Sequence, residues 1–426
     1  MGRGDVNTLR ETTTMTKPVA GSMTGVRKFN TATVLNALRA AGTPLRVLDL
    51  MEVTGLSRPT VETLAESLSA QGWATAAEGV PLAGRQSPGR PARTYAFNAR
   101  AGWVLGIDVG AHKVSACRAD LRGRRLAVAR RTVGPGTPAD VRLDEARTAV
   151  GDVLRGAASA PVLAACLATP GAVDPRRGRV LLAPALPGWD SVDFGAWARD
   201  FLACPLDIDN DANLAAVAEQ AVGVARDRSD VVFVLLGERL GAGITTGGRL
   251  LRGRNGAAGE IGYIRHGGAD EPPPAGYGPL ESHVNAHAIV GMVEEELARP
   301  DAPADSPLRR AFTTGEEADG RLPALAAGAR DGDPAALRVL ERLCGRLAEG
   351  IAPLLLALNP ELLVLGGGVS SMGDVLHAPL AEALARTVLF PPELALSALG
   401  DRAVVTGAVH AALTRFEETT MAGILA

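Results

Sequence analysis

The amino-acid sequence predicts a multidomain protein, with a small α+β winged helix-turn-helix at the N-terminus and a larger α/β body behind it. Three observations predict this. Residues 1 to 100 carry 12 Lys plus Arg against 7 Asp plus Glu, whereas the remainder carries 32 against 40. Within that basic first quarter, two short helical patterns flank Gly55-Leu56-Ser57. Beyond it, apolar runs end in glycine turns, at Asp108-Val109-Gly110 and again at Gly366-Gly367-Gly368. A chain of 426 residues is long enough for two or three cores.

Composition narrows the class. No apolar run approaches the roughly 18 uninterrupted residues of a membrane span, so no membrane partner is expected. Residues 1–24 mix charges with Thr, Gly and Ser and read as a disordered lead-in, with Met15 and Met23 as alternative starts. Cys117, Cys166, Cys204 and Cys344 are too scattered for a metal site or a disulfide framework, which fits a reducing cytoplasm. A basic quarter on an acidic body points to a nucleic-acid-facing module joined to something that does not bind nucleic acid.

Residues 25–100 form the expected DNA-binding domain. From Asn30, the segment NTATVLNALRAAG puts Val34, Leu35 and Leu38 on one helical face, with Gly42 as a stop. The segment RVLDLMEVTG puts Leu48 and Met51 on the inner face of a second helix, ended by Gly55. Ser57 caps a third helix in which Val61, Leu64 and Leu68 form the buried stripe and Pro59 sits harmlessly in the first turn. Ser57, Arg58, Pro59, Thr60, Glu62 and Thr63 then face outward, as on a helix entering the major groove of operator double-stranded DNA. Strands at Trp73-Ala74-Thr75 and Thr94-Tyr95-Ala96-Phe97 flank a Gly-, Pro- and Arg-rich loop. That loop reads as a wing whose Arg85, Arg90 and Arg93 follow phosphates or a narrow minor groove, or else as a solvated linker.

The body opens with the apolar run into Asp108, a tight turn at Gly110 and a returning strand beyond Lys113, followed by a third strand after Leu121-Arg122-Gly123. Strand, glycine turn and strand bring backbone N–H groups, a carboxylate and an ammonium to one rim, which can cradle a phosphate and its metal ion. Further segments follow in a set order: ATPGAVD from 168, APALPGW from 183, IDNDANLAAVAE from 208, LGERLGAGITTGGRLLRG from 236, NGAAGEIGY from 255, GPLE from 278 and LVLGGGVS from 363. In content and order this series resembles the ROK family of sugar kinases and repressors, and the added winged helix resembles its repressor branch. The resemblance runs from about Arg27 to the C-terminus. It implies a two-lobed actin-like, sugar-kinase (ribonuclease H-like) body, with residues 101–209 plus 405–426 in the first lobe and 210–404 in the second, which also carries the dimer surface.

Residue chemistry agrees with a sugar cleft, because Asn210, Asp211, Glu260 and Glu281 offer the acceptors and donors that sugar hydroxyls need. The resemblance adds Tyr263, at the place of a family histidine, and implies that Asp211 is the catalytic base if the chain is a kinase. Asp211 is also well placed to be a plain helix N-cap. The resemblance further implies phosphate or nucleotide contacts, intact or vestigial, at Asp108, Gly110, Lys113, Gly241, Gly243, Gly366, Gly367 and Gly368. The chain departs from the family where GTGxGAGI is expected, reading Gly237-Glu238-Arg239-Leu240-Gly241-Ala242-Gly243-Ile244. A carboxylate there repels phosphates, and a long side chain fills space that glycine leaves open. His112 replaces a small hydroxyl residue and Ala185 replaces an asparagine. The family's structural zinc ligands, one His and three Cys, fall on Tyr263, Pro272, Pro274 and Pro279, so zinc is expected to be absent. A replacement site from His266, His283 and His287 is a weaker expectation than surface or helix-face roles for them.

The sequence therefore predicts a cytoplasmic, sugar-responsive DNA-binding regulator of carbohydrate genes, associated with the nucleoid when bound to DNA. A homodimer or tetramer binds the operator, and a sugar or sugar derivative binds in a kinase-like cleft. No cofactor is required. The alternatives are an ATP- and Mg-dependent sugar kinase with an added DNA-binding domain, and a regulator with a vestigial cleft controlled by a protein partner.

Overall fold

The computed structural model describes residues 23–421 apart from 79–92, 158–159, 266–272, 275, 301–305, 307 and 311–317. Two compact units divide between Asn98 and Ala99.

The first unit is built from α1 (Met23–Ala40), β1 (Leu45–Arg46), α2 (Val47–Thr54), α3 (Arg58–Ala70), β2 (Ala74–Glu78) and β3 (Arg93–Phe97). The strands form one antiparallel sheet in the order β1-β3-β2. Three helices against a small sheet make a winged helix-turn-helix. Val34, Leu35 and Leu38 of α1 and Val61, Leu64 and Leu68 of α3 are buried as the periodicity requires. Helix α1 starts seven residues before Asn30. In α2 the buried leucine is Leu50, and the expected Leu48 is 60% exposed. Apolar residues surround that eight-residue helix, so periodicity alone could not choose its inner face. Gly55 ends α2 with φ +69, the left-handed conformation that only glycine adopts at little cost. The two-residue strand at Leu45-Arg46, which pairs with Tyr95 and Thr94, is too short to leave a pattern in the sequence.

The second unit contains two five-stranded sheets of the same design. In the first, β4 (Trp103–Val109), β5 (Lys113–Asp120) and β6 (Arg125–Thr132) form an antiparallel meander. Strand β7 (Val162–Thr169) then adds parallel to β4, and β10 (Leu206–Asn210) adds parallel to β7. A short hairpin of β8 (Ala172–Asp174) and β9 (Arg179–Leu182) stands apart. The second sheet repeats the plan. Strands β11 (Val231–Leu236), β12 (Leu240–Thr246) and β13 (Arg249–Leu250) form the meander, with β14 (Leu362–Gly366) and β15 (Glu393–Leu396) added in parallel. The duplication matches the two-lobed, ribonuclease H-like expectation. Helices α4 (Ala139–Leu154) and α5 (Phe194–Arg199) belong to the first half. The second half carries α7 (Glu281–Val284), α8 (Ala286–Leu297), α9 (Ala318–Arg330), α10 (Pro334–Leu358) and α11 (Asp374–Thr387).

Two helices join the halves, α6 (Asp211–Val222) and α12 (Ala403–Phe416). Their layers touch through missing side chains. A Cβ on Gly106 of β4 would lie 2.6 Å from the Val405 carbonyl oxygen of α12, and one on Gly407 of α12 would lie 1.7 Å from the Leu214 carbonyl oxygen of α6. One on Gly243 of β12 would lie 2.3 Å from the Ala212 carbonyl oxygen of α6. The order is thus sheet, α12, α6, sheet, packed backbone to backbone. Among the described residues no helix is long and apolar enough to cross a membrane.

Candidate functional site

In the first unit, Ser57, Arg58, Pro59 and Thr63 are exposed and Thr60 and Glu62 half-buried, all on the face of α3 opposite its buried stripe. Ser57 holds the N-cap position, but its hydroxyl meets the Thr60 hydroxyl at 2.9 Å and caps no backbone N–H. Arg58 Nε donates to Glu62 Oε1 at 2.9 Å, one turn along the helix. Thr63 Oγ1 donates to the Pro59 carbonyl at 2.8 Å. Arg93 opens β3 rather than lying on the loop, and its guanidinium reaches Glu66 of α3 at 3.1 Å. Arg85, Arg90 and the expected wing lie outside the described residues.

In the second unit, a cavity of about 340 Å³ opens where the expected sugar contacts converge. It is lined by Asn210, Asp211, Glu260, Tyr263 and Glu281, with Arg239 beside them and an apolar wall that includes Pro170, Leu182 and Ala185. Its polar groups divide into those held by the protein and those left open.

Asn210 ends β10 and caps α6. Its Oδ1 accepts from the Ala212 and Asn213 N–H groups at 2.9 and 3.1 Å, while its Nδ2 donates to the Gly171 carbonyl at 3.0 Å. The helix cap is therefore Asn210 and not Asp211. Asp211 is the first residue of α6, and its Oδ1 accepts the Ala212 N–H at 2.8 Å. Burial, then the nearby Asp108 carboxylate, pushes the Asp211 carboxyl up to about 7. Glu260 is half-buried, and burial followed by the neighbouring Glu281 raises its carboxyl above the ordinary range. Glu281 is committed to the scaffold. Its Oε1 accepts from Leu240 N–H at 2.8 Å and lies 3.1 Å from Arg239 Nε, and its Oε2 accepts from Gly278 N–H at 3.1 Å. Tyr263 lies at the mouth, 47% exposed.

The phosphate end is built differently. Asp108, at the end of β4, is buried, with Oδ2 lacking a hydrogen-bond partner and Lys113 Nζ 3.7 Å away. Burial raises its carboxyl and Lys113 opposes the rise. Gly110 N–H donates to the Lys113 carbonyl at 2.9 Å, and Lys113 Nζ donates to the Asp401 carbonyl at 3.0 Å. Glu238 does face this end, but its Oε2 lies 2.6 Å from His112 Nε2. The two side chains that replace small residues in the two phosphate loops thus meet across the cleft. Packing accounts for several of the glycines. Gly241 and Gly243 face α6, a Cβ on Gly366 would lie 2.3 Å from Phe233 Cζ, and Gly367, at φ +86, leaves no room for one against the Leu236 carbonyl. Gly368 opens the short turn Gly368–Met372. A carboxylate and an imidazole thus occupy the end where the resemblance places a nucleotide's phosphates.

The donor set does not fit zinc either. Tyr263, Pro274 and Pro279 offer no thiolate or imidazole, and Pro272 and His266 lie outside the described residues. His283 Nδ1 lies 2.7 Å from the Pro279 carbonyl oxygen, and the His287 ring packs edge-on to Tyr277. No group of three potential metal ligands converges among the described residues.

Four residues that sequence reasoning misses shape the site. Arg239, by sequence an obstacle to phosphate, instead lines the sugar cavity, its guanidinium 4.8 Å from the centre of the Tyr277 ring. Asp209 and Arg252 pair at 2.8 Å and tie β10 to the segment leading into Glu260. Arg142 is fully buried and donates to the Gly110, Ala111 and Gly134 carbonyls, holding the first phosphate loop from beneath. Only an acidic neighbour before Asn210-Asp211 gives any signal in the sequence.

A winged helix-turn-helix followed by a duplicated sugar-kinase-like body defines the class. Residues 104–415 match the ROK family and residues 29–77 match the IclR helix-turn-helix domain. The chain belongs to the ROK family. A putative xylose repressor from Caldicellulosiruptor sp. is 26% identical over 367 residues, 84% of this chain and 89% of the relative. A solved ROK family transcriptional regulator, a homologue of the E. coli MLC protein, aligns with a TM-score of 0.73 at 23% identity, covering 94% of this chain and 98% of that one. A ROK glucokinase from Streptomyces griseus, solved with glucose and AMPPNP, aligns with a TM-score of 0.62 at 28% identity, covering 74% of this chain and all of that one.

Proposed function

We propose that the chain is a cytoplasmic, sugar-responsive DNA-binding repressor that acts as a homodimer. One observation carries the reading: Asp211 and Glu260 remain open to a ligand at one end of the cleft, while His112 and Glu238 bind each other at the end where a nucleotide's phosphates would lie. The winged helix and the similarity to a putative xylose repressor over most of both chains support the DNA and sugar partners. The effector works by population shift, favouring one closure of the duplicated body and so one spacing of the paired recognition helices. Half-sites about 34–36 Å apart, or a multiple, suit such a dimer. Neither zinc nor ATP takes part.

A kinase reading has one observation in its favour, since a carboxyl raised to about 7 is well tuned for a general base. The phosphate end argues against it. Fluorescence anisotropy on the chain's own promoter fragment, with and without a panel of sugars, tests the proposal. Release of DNA by at least one sugar is expected, and indifference to every sugar removes the effector. ADP formation that Asp211→Asn abolishes overturns the non-enzymatic reading.

A further inference from the structure

The open cavity has one cationic side chain. Arg239 is the only Lys or Arg among the described residues lining it, and it stands where the family resemblance places a glycine. Two contacts orient it. Nε lies 3.1 Å from Glu281 Oε1, and the guanidinium stacks over Tyr277 at 4.8 Å. Such a guanidinium is preorganised, so little freedom is lost when it takes a ligand. The arrangement leaves donors unused. No described residue hydrogen-bonds its Nη nitrogens, although the side chain is only 26% exposed. A partly desolvated fork with spare donors matches the oxygens of a phosphate or carboxylate. Glu281 does not need the whole guanidinium, because two backbone N–H groups already satisfy it.

We infer that the effector is an anionic sugar derivative whose phosphate or carboxylate is received by the Nη nitrogens of Arg239 while its hydroxyls meet Asp211 and Glu260. The inference rests on the reading of this cleft as a sugar site. Arg239 is the one positive group among the described lining residues, and it lies near enough to Glu260 to oppose the rise of that carboxyl. Burial pushes both open carboxyls up, Asp211 to about 7, so each is more readily protonated and repels an anion less than an ordinary carboxylate. The apolar wall at Pro170, Leu182 and Ala185 suits the ring faces.

Isothermal titration of the full chain with glucose, xylose, glucose 6-phosphate, glucuronate and inorganic phosphate tests the inference. The expected result is an anionic sugar bound about 10-fold or more tightly than its neutral counterpart, with inorganic phosphate far weaker than either. The stronger of glucose 6-phosphate and glucuronate identifies the anionic group. Arg239→Met abolishes that preference and Arg239→Lys keeps part of it, the ratio of anionic to neutral affinity being read within each variant so that a general loss cancels. Should Arg239→Met not fold, the wild-type and Arg239→Lys ratios decide. Neutral sugars bound as tightly as anionic ones, or a ratio unmoved in Arg239→Met, overturn this inference alone. Binding of no sugar of either kind overturns the sugar reading as well.

Discussion

The two ends of the cleft use the same kinds of residue to opposite effect. At the sugar end, the side chains that shape the walls, Asn210 and Glu281, are held by backbone groups, and two other carboxyls are left open. At the phosphate end, His112 pairs with Glu238 and Lys113 donates to the Asp401 backbone carbonyl, while Asp108 Oδ2 stays buried without a hydrogen bond, 3.7 Å from Lys113. The difference teaches that a binding end is recognised by uncommitted polar groups that line a cavity, as Asp211 and Glu260 do and Asp108 does not, more than by which residue types are present.

The comparison is broken most forcefully where the two helices that join the halves cross. Gly407→Val pushes α12 off α6, because even a Cβ at this position lies 1.7 Å from a carbonyl oxygen. A loss of at least about 1–3 kcal/mol is expected, read as a lowered Tm, together with loss of effector binding. An unchanged Tm removes the close crossing as a determinant.

Removing an open carboxyl tests the sugar end directly. Asp211→Ala and Glu260→Ala each weaken effector binding by roughly 10- to 100-fold, the value of a hydrogen bond to a charged group. Titration calorimetry reads this, and Asp211→Ala binding as well as wild type sinks the assignment.

A smaller effect comes from pH. A carboxyl raised from 3.8 to about 7 on folding holds a proton where that of the unfolded chain does not. Its contribution to stability is complete below about 4 and is lost as pH rises through about 7. The ionised carboxylate is the stronger acceptor for a sugar hydroxyl, so affinity for a neutral sugar climbs between about pH 6 and 8. Asp211→Asn flattens that climb, and a wild-type profile that is already flat contradicts the role given to this carboxyl.

The smallest change belongs to the phosphate end. His112 is 61% exposed, so separating the pair by Glu238→Gln costs no more than about 1 kcal/mol. Effector affinity in this variant matches wild type. A 10-fold change in sugar binding there means that the two ends are not separate.

Much of this is legible in the sequence. The buried stripe of α3, the left-handed Gly55 and the strand into Asp108 follow from periodicity and backbone sterics. The inner face of α2 does not, because its apolar residues surround the helix. Asn210 and Asp211 are both good caps, and only the fold shows that the first caps and the second is spared. The bridge from His112 to Glu238 spans 126 positions. The turn of Arg239 toward the sugar cavity depends on Tyr277 and Glu281, which sequence alone could not bring beside it.

The glycine crossing of α6 and α12 has a mechanical consequence. Helices that interlock through side-chain ridges resist turning, and a close backbone approach at a small residue removes part of that interlock and favours turning about the point of approach. Helix α12 has 14 residues and is therefore about 21 Å long. A swivel of about 6° at Gly407 carries the C-terminal end of the helix, about 13.5 Å away, through about 1.4 Å. Asp211 sits at the head of the partner helix, so a ligand drawn against it pulls on a lever.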